Sequence, residues 1–315
     1  MHPAVSVIAF TTLAGTGYGL LILFGLAAAM ARAPGGIAYG LVAVALGLAL
    51  ATAGLLASTA HLGHKERAWR AFSQWRSSWL SREGVAAIAT YLPAGALFLG
   101  WIWLDPGALA LQLLGLAMAA FAAVTVWCTA MIYRSLKPIH QWHNHWVVPN
   151  YFALALMTGA LWLAALTRLI GEPAIGPELT ALAAIGVAAA AKLGYWRFID
   201  TTRSPASAGS ATGLGARGTV RLLEPPHAED NYLMKEMGYR IARKHAGRLR
   251  AIALALGFAL PALAVLVALA LGGAAAGLIE LVAALAAMAG VLVERWLFFA
   301  EARHTVTLYY GATTA

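Results

Sequence analysis

Charge is scarce in this chain. Only 11% of its 315 residues are Asp, Glu, Lys or Arg, against about 25% in soluble domains, and the mean hydropathy is +0.73. That shortage excludes a soluble globular protein. Cysteine is rarer still: Cys128 stands alone, so the chain forms no internal disulfide and offers no set of thiolates for an iron–sulfur cluster. Charge is missing altogether from 4–31, 33–64, 84–104, 106–133, 146–167 and 251–279. Each run reaches the ~20 residues that carry a helix across about 30 Å of hydrocarbon. Two further apolar runs are interrupted, roughly 173–195 by Glu178 and Lys192, and roughly 277–299 by Glu280, Glu294 and Arg295. The pattern predicts an all-α integral membrane protein, a bundle of about eight transmembrane helices forming one domain over 1–315. The glycines of "LGGAAAG" suit a short turn between the last two spans. No basic region precedes the first run, "MHPAVS" opening directly into it, so that run is expected to be an uncleaved span.

What charge there is lies unevenly. With eight spans, the N-terminus, the second, fourth and sixth loops and the C-terminus share one side, and 20 of the 22 Lys and Arg fall there, leaving only Arg32 and Arg168 for the other. Cationic loops stay in the cytoplasm, so both termini are expected there, in the cytoplasmic (inner) membrane. The net charge of +9 then describes a cytoplasmic surface, suited to anionic lipid head groups or to an acidic soluble partner. Nucleic acid is not an expected partner. One long polar intermission, 198–249, is read as a basic cytoplasmic loop. Its first part, rich in Gly, Ser, Ala and Thr, has linker composition; "EDNYLMKEMGYRIARKHAGRLR" has helix-forming composition and is expected to run into the seventh span.

Several side chains could carry chemistry. In "KERAWRAFSQWRSSWL", Trp69, Phe72, Trp75 and Trp79 recur at 3, 3 and 4 residues, which puts them on one face of a helix lying at head-group level; one ring could equally wall a lateral opening for a lipophilic molecule. His61 and Glu83 close the two membrane ends of this loop. They could be bland, His61 bonding head groups and Glu83 complementing a helix N-terminus. They are also what a quinone needs, since its reduction takes up two protons at carbonyl oxygens and calls for groups that exchange protons near neutral pH. "HQWHNHW" supplies His140, His143 and His145, but with no evident fourth ligand and Pro138 just upstream, a metal centre is not expected. A haem would want histidines within two spans, and only His61 stands near one. Glu294 and Arg295 are adjacent on a helix and so point apart; Arg295 is expected to snorkel or to pair with a carboxylate of another span.

These residues bear a resemblance. "HLGHKERAWRAFSQWRSSWLSRE" resembles the loop between the second and third spans in the membrane anchor subunit of the dimethyl sulfoxide reductase family, with its H-L-G histidine and a glutamate about twenty residues on. "MHPAVSVIAFTTLAGTGYGLL", "WCTAMIYRSL" and "ERWLFFAEARHTVTLYYG" extend the likeness over most of the chain, and the long 198–249 segment looks like the version found in anchors of sulfite-oxidising complexes. The resemblance implies a three-subunit molybdopterin oxidoreductase. A molybdopterin catalytic subunit and an iron–sulfur subunit, docked on the cytoplasmic loops, would do the aqueous chemistry. The anchor would bind quinone, ubiquinone or menaquinone, and carry neither haem nor cluster. His61 and Glu83 would correspond to the family's quinol-site pair, and Arg295 to an arginine supporting the pocket. Analogy with the subfamily favours electron flow from sulfite to quinone; the reverse, quinol oxidation by an S-oxide reductase, stays open. So do two rival classes. A transporter would show polar residues mid-span in several helices, and a purely structural anchor would not need His61 or Glu83.

Overall fold

The computed structural model describes residues 5–33, 36–60, 64–171, 174–224 and 240–312. Among them, eight helices are long and apolar enough to cross a membrane: α1 Val5–Ala29, α2 Ile37–Thr59, α3 Trp79–Trp103, α4 Leu109–Arg134, α5 Val147–Ile170, α6 Ile175–Thr201, α7 Ala246–Leu271 and α8 Gly273–Ala300. Their Ala- and Leu-rich sequences favour helix intrinsically, and in hydrocarbon a helix is the one single-segment arrangement that satisfies its own backbone. The described residues contain no strand; Ile139 and His304 form an isolated antiparallel bridge.

α1 and α5 form the interior, each 72% buried over its most apolar stretch, where the other six run from 33% to 44%. α1 packs on α2, α4, α5 and α8, and α5 on α4, α6 and α8. Lipid supplies no hydrophobic drive between helices, so close backbone approach has to hold them together. At the α1–α5 crossing, a Cβ on Gly19 would lie 1.8 Å from the Ala155 carbonyl oxygen, and one on Gly159 would lie 2.3 Å from the Gly19 carbonyl carbon. Leucines and valines such as Leu99, Leu113, Val187 and Leu263 stay exposed on the outer faces, where lipid would meet them.

The turn from α7 to α8 falls at the sequence-predicted glycines: Gly272 and Gly273 hold φ of 66° and 69°, a region open to glycine at no steric cost. α7 itself widens into a π-turn over Ala255–Ala259, just ahead of Pro261. A π-turn shifts the local hydrogen-bond pattern by one residue, and Pro261 has no N–H to give to an α-ladder.

Two loop expectations are corrected. The aromatic loop is not one helix presenting a single face. A 3₁₀ helix covers only Lys65–Phe72, turns follow, and Trp79 is already the first residue of α3. The linker-like stretch contains a short helical turn, Ala208–Thr212, opened by a reciprocal Ser207–Ser210 capping box, and a 3₁₀ turn at Gly215–Arg217. Of the helix expected before the seventh span, 229–239 lie outside the described residues; Arg240–Lys244 is helical and separated from α7 at His245. The loop after α4 is tied to the C-terminal segment. Thr305 N–H donates to the Pro138 carbonyl at 3.3 Å and Arg303 N–H to the Gln141 side chain at 3.0 Å. These segments therefore share one end of the bundle.

Candidate functional site

Glu83 is the group on which the sequence reading and the structure meet. Ser78 caps α3, its side chain accepting from Ser81 N–H at 3.5 Å, so Glu83 lies beyond the first turn and the helix-dipole explanation does not apply. Its neighbour Arg82 turns back to the loop, bonding the carbonyls of Trp75 at 2.9 Å and Arg76 at 2.6 Å and lying 4.3 Å over the Trp79 ring. Successive helical residues diverge, and Glu83 faces inward, only 4% exposed. There the Thr129 hydroxyl of α4 donates to its carboxylate. A buried carboxylate this poorly solvated is costly unless it has partners.

Thr129 also borders a cavity of about 20 Å³ enclosed by α1, α4, α5 and α8, enough for one water. Its lining is mostly apolar, with a few polar side chains among it. Thr12, Tyr18, Tyr151 and Arg295 are among the residues around it, and the Thr12 and Tyr18 hydroxyls have no hydrogen-bond partner among the described residues.

Arg295 corrects an expectation. It neither snorkels, being 2% exposed, nor pairs with a carboxylate of another span. Its Nε bonds Glu294 Oε2 at 2.5 Å, because a long guanidinium arm can curl to a side chain whose Cβ points elsewhere. Lys192 of α6 bonds the other oxygen of Glu294, so one carboxylate serves two cations. Lys192 lies 4.1 Å over Tyr195, and Arg295 4.3 Å over Tyr151. The signal for this trio was in the sequence, since Lys192, Glu294 and Arg295 are three of the ionisable residues that interrupt the last spans. The contacts with Thr129, Tyr18 and Tyr151 had no such signal.

Toward the surface of the same end lies a basin of about 760 Å³, bordered by Asp200, Arg250, Glu301 and Arg303 among others. Arg250 bridges Asp200, at 2.6 Å, and Glu301 Oε1, at 2.7 Å. Burial pushes the Glu301 carboxyl above its ordinary value, with Arg250 and then Lys192 pulling it back. At the opposite end, Arg168 pairs with Glu178 at 2.5 Å, near a fully buried Glu280.

His61 lies outside the described residues, so its distance to Glu83 is not defined. The three loop histidines serve the loop itself. His140 Nε2 shares a hydrogen bond with Thr202 Oγ1 at 2.9 Å, His143 Nδ1 donates to the Arg134 carbonyl at 2.6 Å, and His145 packs on Trp146 and Phe198. No three His, Cys, Asp or Glu among the described residues gather as metal ligands.

The profile of the "DMSO reductase anchor subunit (DmsC)" family matches residues 1–311. The chain belongs to this anchor-subunit family. It is also 34% identical to a sulfite dehydrogenase subunit of Allochromatium vinosum, over 98% of this chain and 99% of that protein. Membership in the DMSO reductase anchor family, with eight apolar helices, makes the chain a multi-pass membrane anchor of the molybdoenzyme type.

Proposed function

We propose that this anchor is the quinone-reactive subunit of a three-subunit molybdopterin oxidoreductase, passing electrons from a cytoplasmic iron–sulfur subunit to membrane quinone during sulfite oxidation to sulfate. The observation that carries the reading is Glu83, a buried carboxyl fixed by Thr129 at the end of the bundle where the cationic segments gather. Quinone, when bound, takes two electrons and two protons at its carbonyl oxygens. The donor set fits that chemistry, because Glu83 can give a proton to a carbonyl and take one back. The adjoining cavity, about 20 Å³, admits water and not a quinone ring. The ring would therefore lie outside that cavity, on the loop side of Glu83, with Arg295 supporting from behind.

In this reading both termini are cytoplasmic, the chain is one membrane domain, and the basic loops seat the iron–sulfur subunit above the pocket, with the molybdopterin subunit beyond it. Sulfite and water yield sulfate, two protons and two electrons in the partner subunits; the anchor supplies protons to the quinone from the cytoplasmic side. The likeness to a sulfite dehydrogenase subunit favours this direction over quinol oxidation by an S-oxide reductase.

The test is to purify the tagged chain in mild detergent with whatever accompanies it and to measure sulfite-dependent reduction of a short-chain quinone. His61→Arg and Glu83→Gln should abolish quinone reduction while sulfite still reduces a soluble dye. Full quinone turnover in both variants would leave a purely structural anchor.

A further inference from the structure

We infer that the basin between the ends of α6, α7 and α8 is a lipid site, receiving the headgroup of an anionic phospholipid whose phosphodiester pairs with Arg203 and Arg303. The inference does not depend on the quinone-reactive reading of Glu83.

The basin, about 760 Å³, is built where three spans leave the membrane. Asp200 and Arg203 border it from the end of α6, Arg243 and Arg250 from either side of the start of α7, and Glu301 and Arg303 from just beyond α8. Below it α6 and α7 part. α6 packs on α7 at the π-turn and along Leu260–Leu271, and scarcely along Ala246–Leu254. At that end the two are tied by side chains: Arg250 bonds Asp200 through Nη1 at 2.6 Å and Nη2 at 2.9 Å, and lies 5.2 Å over the Trp196 ring. Leu193 stands seven residues before Asp200, hence on the same face of α6. Packing of α6 on α7 would cover that face, yet Leu193 is 52% exposed. The basin therefore continues into an apolar seam that opens sideways.

Two of the basin's arginines serve the fold. Arg250 takes both Asp200 oxygens and Glu301 Oε1, and Arg243 donates to the carbonyls of Ala300 at 2.9 Å and Ala302 at 2.8 Å. The basin's two carboxylates are thus both held by Arg250, and Glu301 is turned inward, its side chain 9% exposed. The side chains of Arg203 and Arg303 make no hydrogen bond or ion pair among the described residues, and both are exposed. Their charge is surplus, and a guanidinium matches a phosphodiester through two parallel N–H···O bonds. α7 starts beside them with no side-chain cap on its first N–H groups, the helix end that favours an anion. A basic pocket between spans at a membrane surface suits anionic headgroups. An acidic peptide would meet the same arginines but leave the seam below unfilled, whereas acyl chains fill it.

The test is made on the full chain, purified in mild detergent with whatever accompanies it and washed free of lipid. It is titrated with phosphatidylglycerol, cardiolipin, phosphatidylcholine or inorganic phosphate, reading the thermal midpoint and, by native mass spectrometry, the lipid retained. The two anionic lipids should raise the midpoint and stay bound, and phosphatidylcholine should do neither. Arg203→Gln and Arg303→Gln should each weaken anionic-lipid binding by about fivefold, and the double variant by about 25-fold. Arg217→Gln, on the same loop as Arg203 but outside the basin, should change nothing. An equal response to phosphatidylcholine, or a double variant that binds anionic lipid as the parent does, overturns the inference. So does inorganic phosphate that reproduces the full stabilisation, which would make the basin a free-anion site. Loss of a companion subunit from the double variant with lipid binding intact also overturns it, and would make the basin a protein docking surface.

Discussion

Thr129 on α4 donates a hydrogen bond to the carboxylate of Glu83 on α3, joining residues 46 apart in sequence across a buried helix interface. Thr129→Val keeps the shape and removes the donor. It should cost about 1–3 kcal/mol, the penalty for a buried acceptor losing its partner, read as a lowered thermal midpoint in detergent. Thr129→Ser should keep most of that stability. If the valine variant is as stable as the parent, the bond is not holding Glu83.

Glu294 neutralises two buried cations, whereas Lys192 contributes only one of them. Removing Glu294 leaves both without an anion, and breaking a buried pair in this way costs about 3–5 kcal/mol. Glu294→Met should therefore destabilise the protein more than Lys192→Met, which leaves the Arg295–Glu294 pair intact. Thermal unfolding of the two variants side by side checks the order.

Helix separation is limited by backbone contact at Gly19, where a side chain meets the Ala155 carbonyl. Gly19→Val should force α1 from α5 and cost at least about 1–3 kcal/mol by overpacking, lowering the folded yield from membranes. Gly186→Ala on the outer face of α6, where a Cβ meets nothing within 4 Å, should be neutral or slightly stabilising.

The contact between the fourth loop and the C-terminal segment should weaken in acid. Burial, and then the neighbouring His143, holds the His140 pKa below its ordinary 6.5, and burial does the same for His304. Below that ordinary value the unfolded chain binds more protons than the folded one, so stability falls as pH drops; well above it both states are neutral and the dependence vanishes. Lowering pH from about 7 to about 5 should raise hydrogen exchange around Ile139 and His304, and His140→Gln should reduce the rise.

Topology can be read with single cysteines. The one native thiol, Cys128, is 3% exposed and should not compete for a membrane-impermeant reagent. Ser210→Cys and Arg303→Cys should label from the same side of the membrane, the cytoplasmic one, and Asp105→Cys from the other. Labelling of Ser210→Cys and Asp105→Cys from one side would overturn the charge-based orientation.

The spans were readable because lipid imposes a single local rule, about twenty apolar residues per crossing, and the chain obeys it even where Lys192 and Glu294 intrude. The α7–α8 turn was readable for the same kind of local reason, two glycines where positive φ is needed. The aromatic loop was not. Its i, i+3 spacing fits a long helix, but Arg82 draws the carbonyls of Trp75 and Arg76 toward itself and the chain turns instead. Glu294 and Arg295 were expected to diverge, and helical geometry does separate their Cβ atoms. Side-chain length and the absence of competing water bring them together. The histidines of the fourth loop were not expected to hold a metal, but their partners, the Arg134 carbonyl, Thr202, Trp146 and Phe198, were not legible in sequence.

Sequence alone determined that this protein lives in a membrane, how many times the chain crosses it and which loops carry the positive charge, since all three follow from residues within one span or loop. Only the tertiary structure decided that Glu83 is buried against Thr129, that one glutamate serves Lys192 and Arg295, and that Arg295 lies over the Tyr151 ring. Those contacts join helices distant in sequence. Which faces meet is set by how closely backbones such as those at Gly19 and Gly159 can approach, a property of the packed bundle that no single stretch of chain contains.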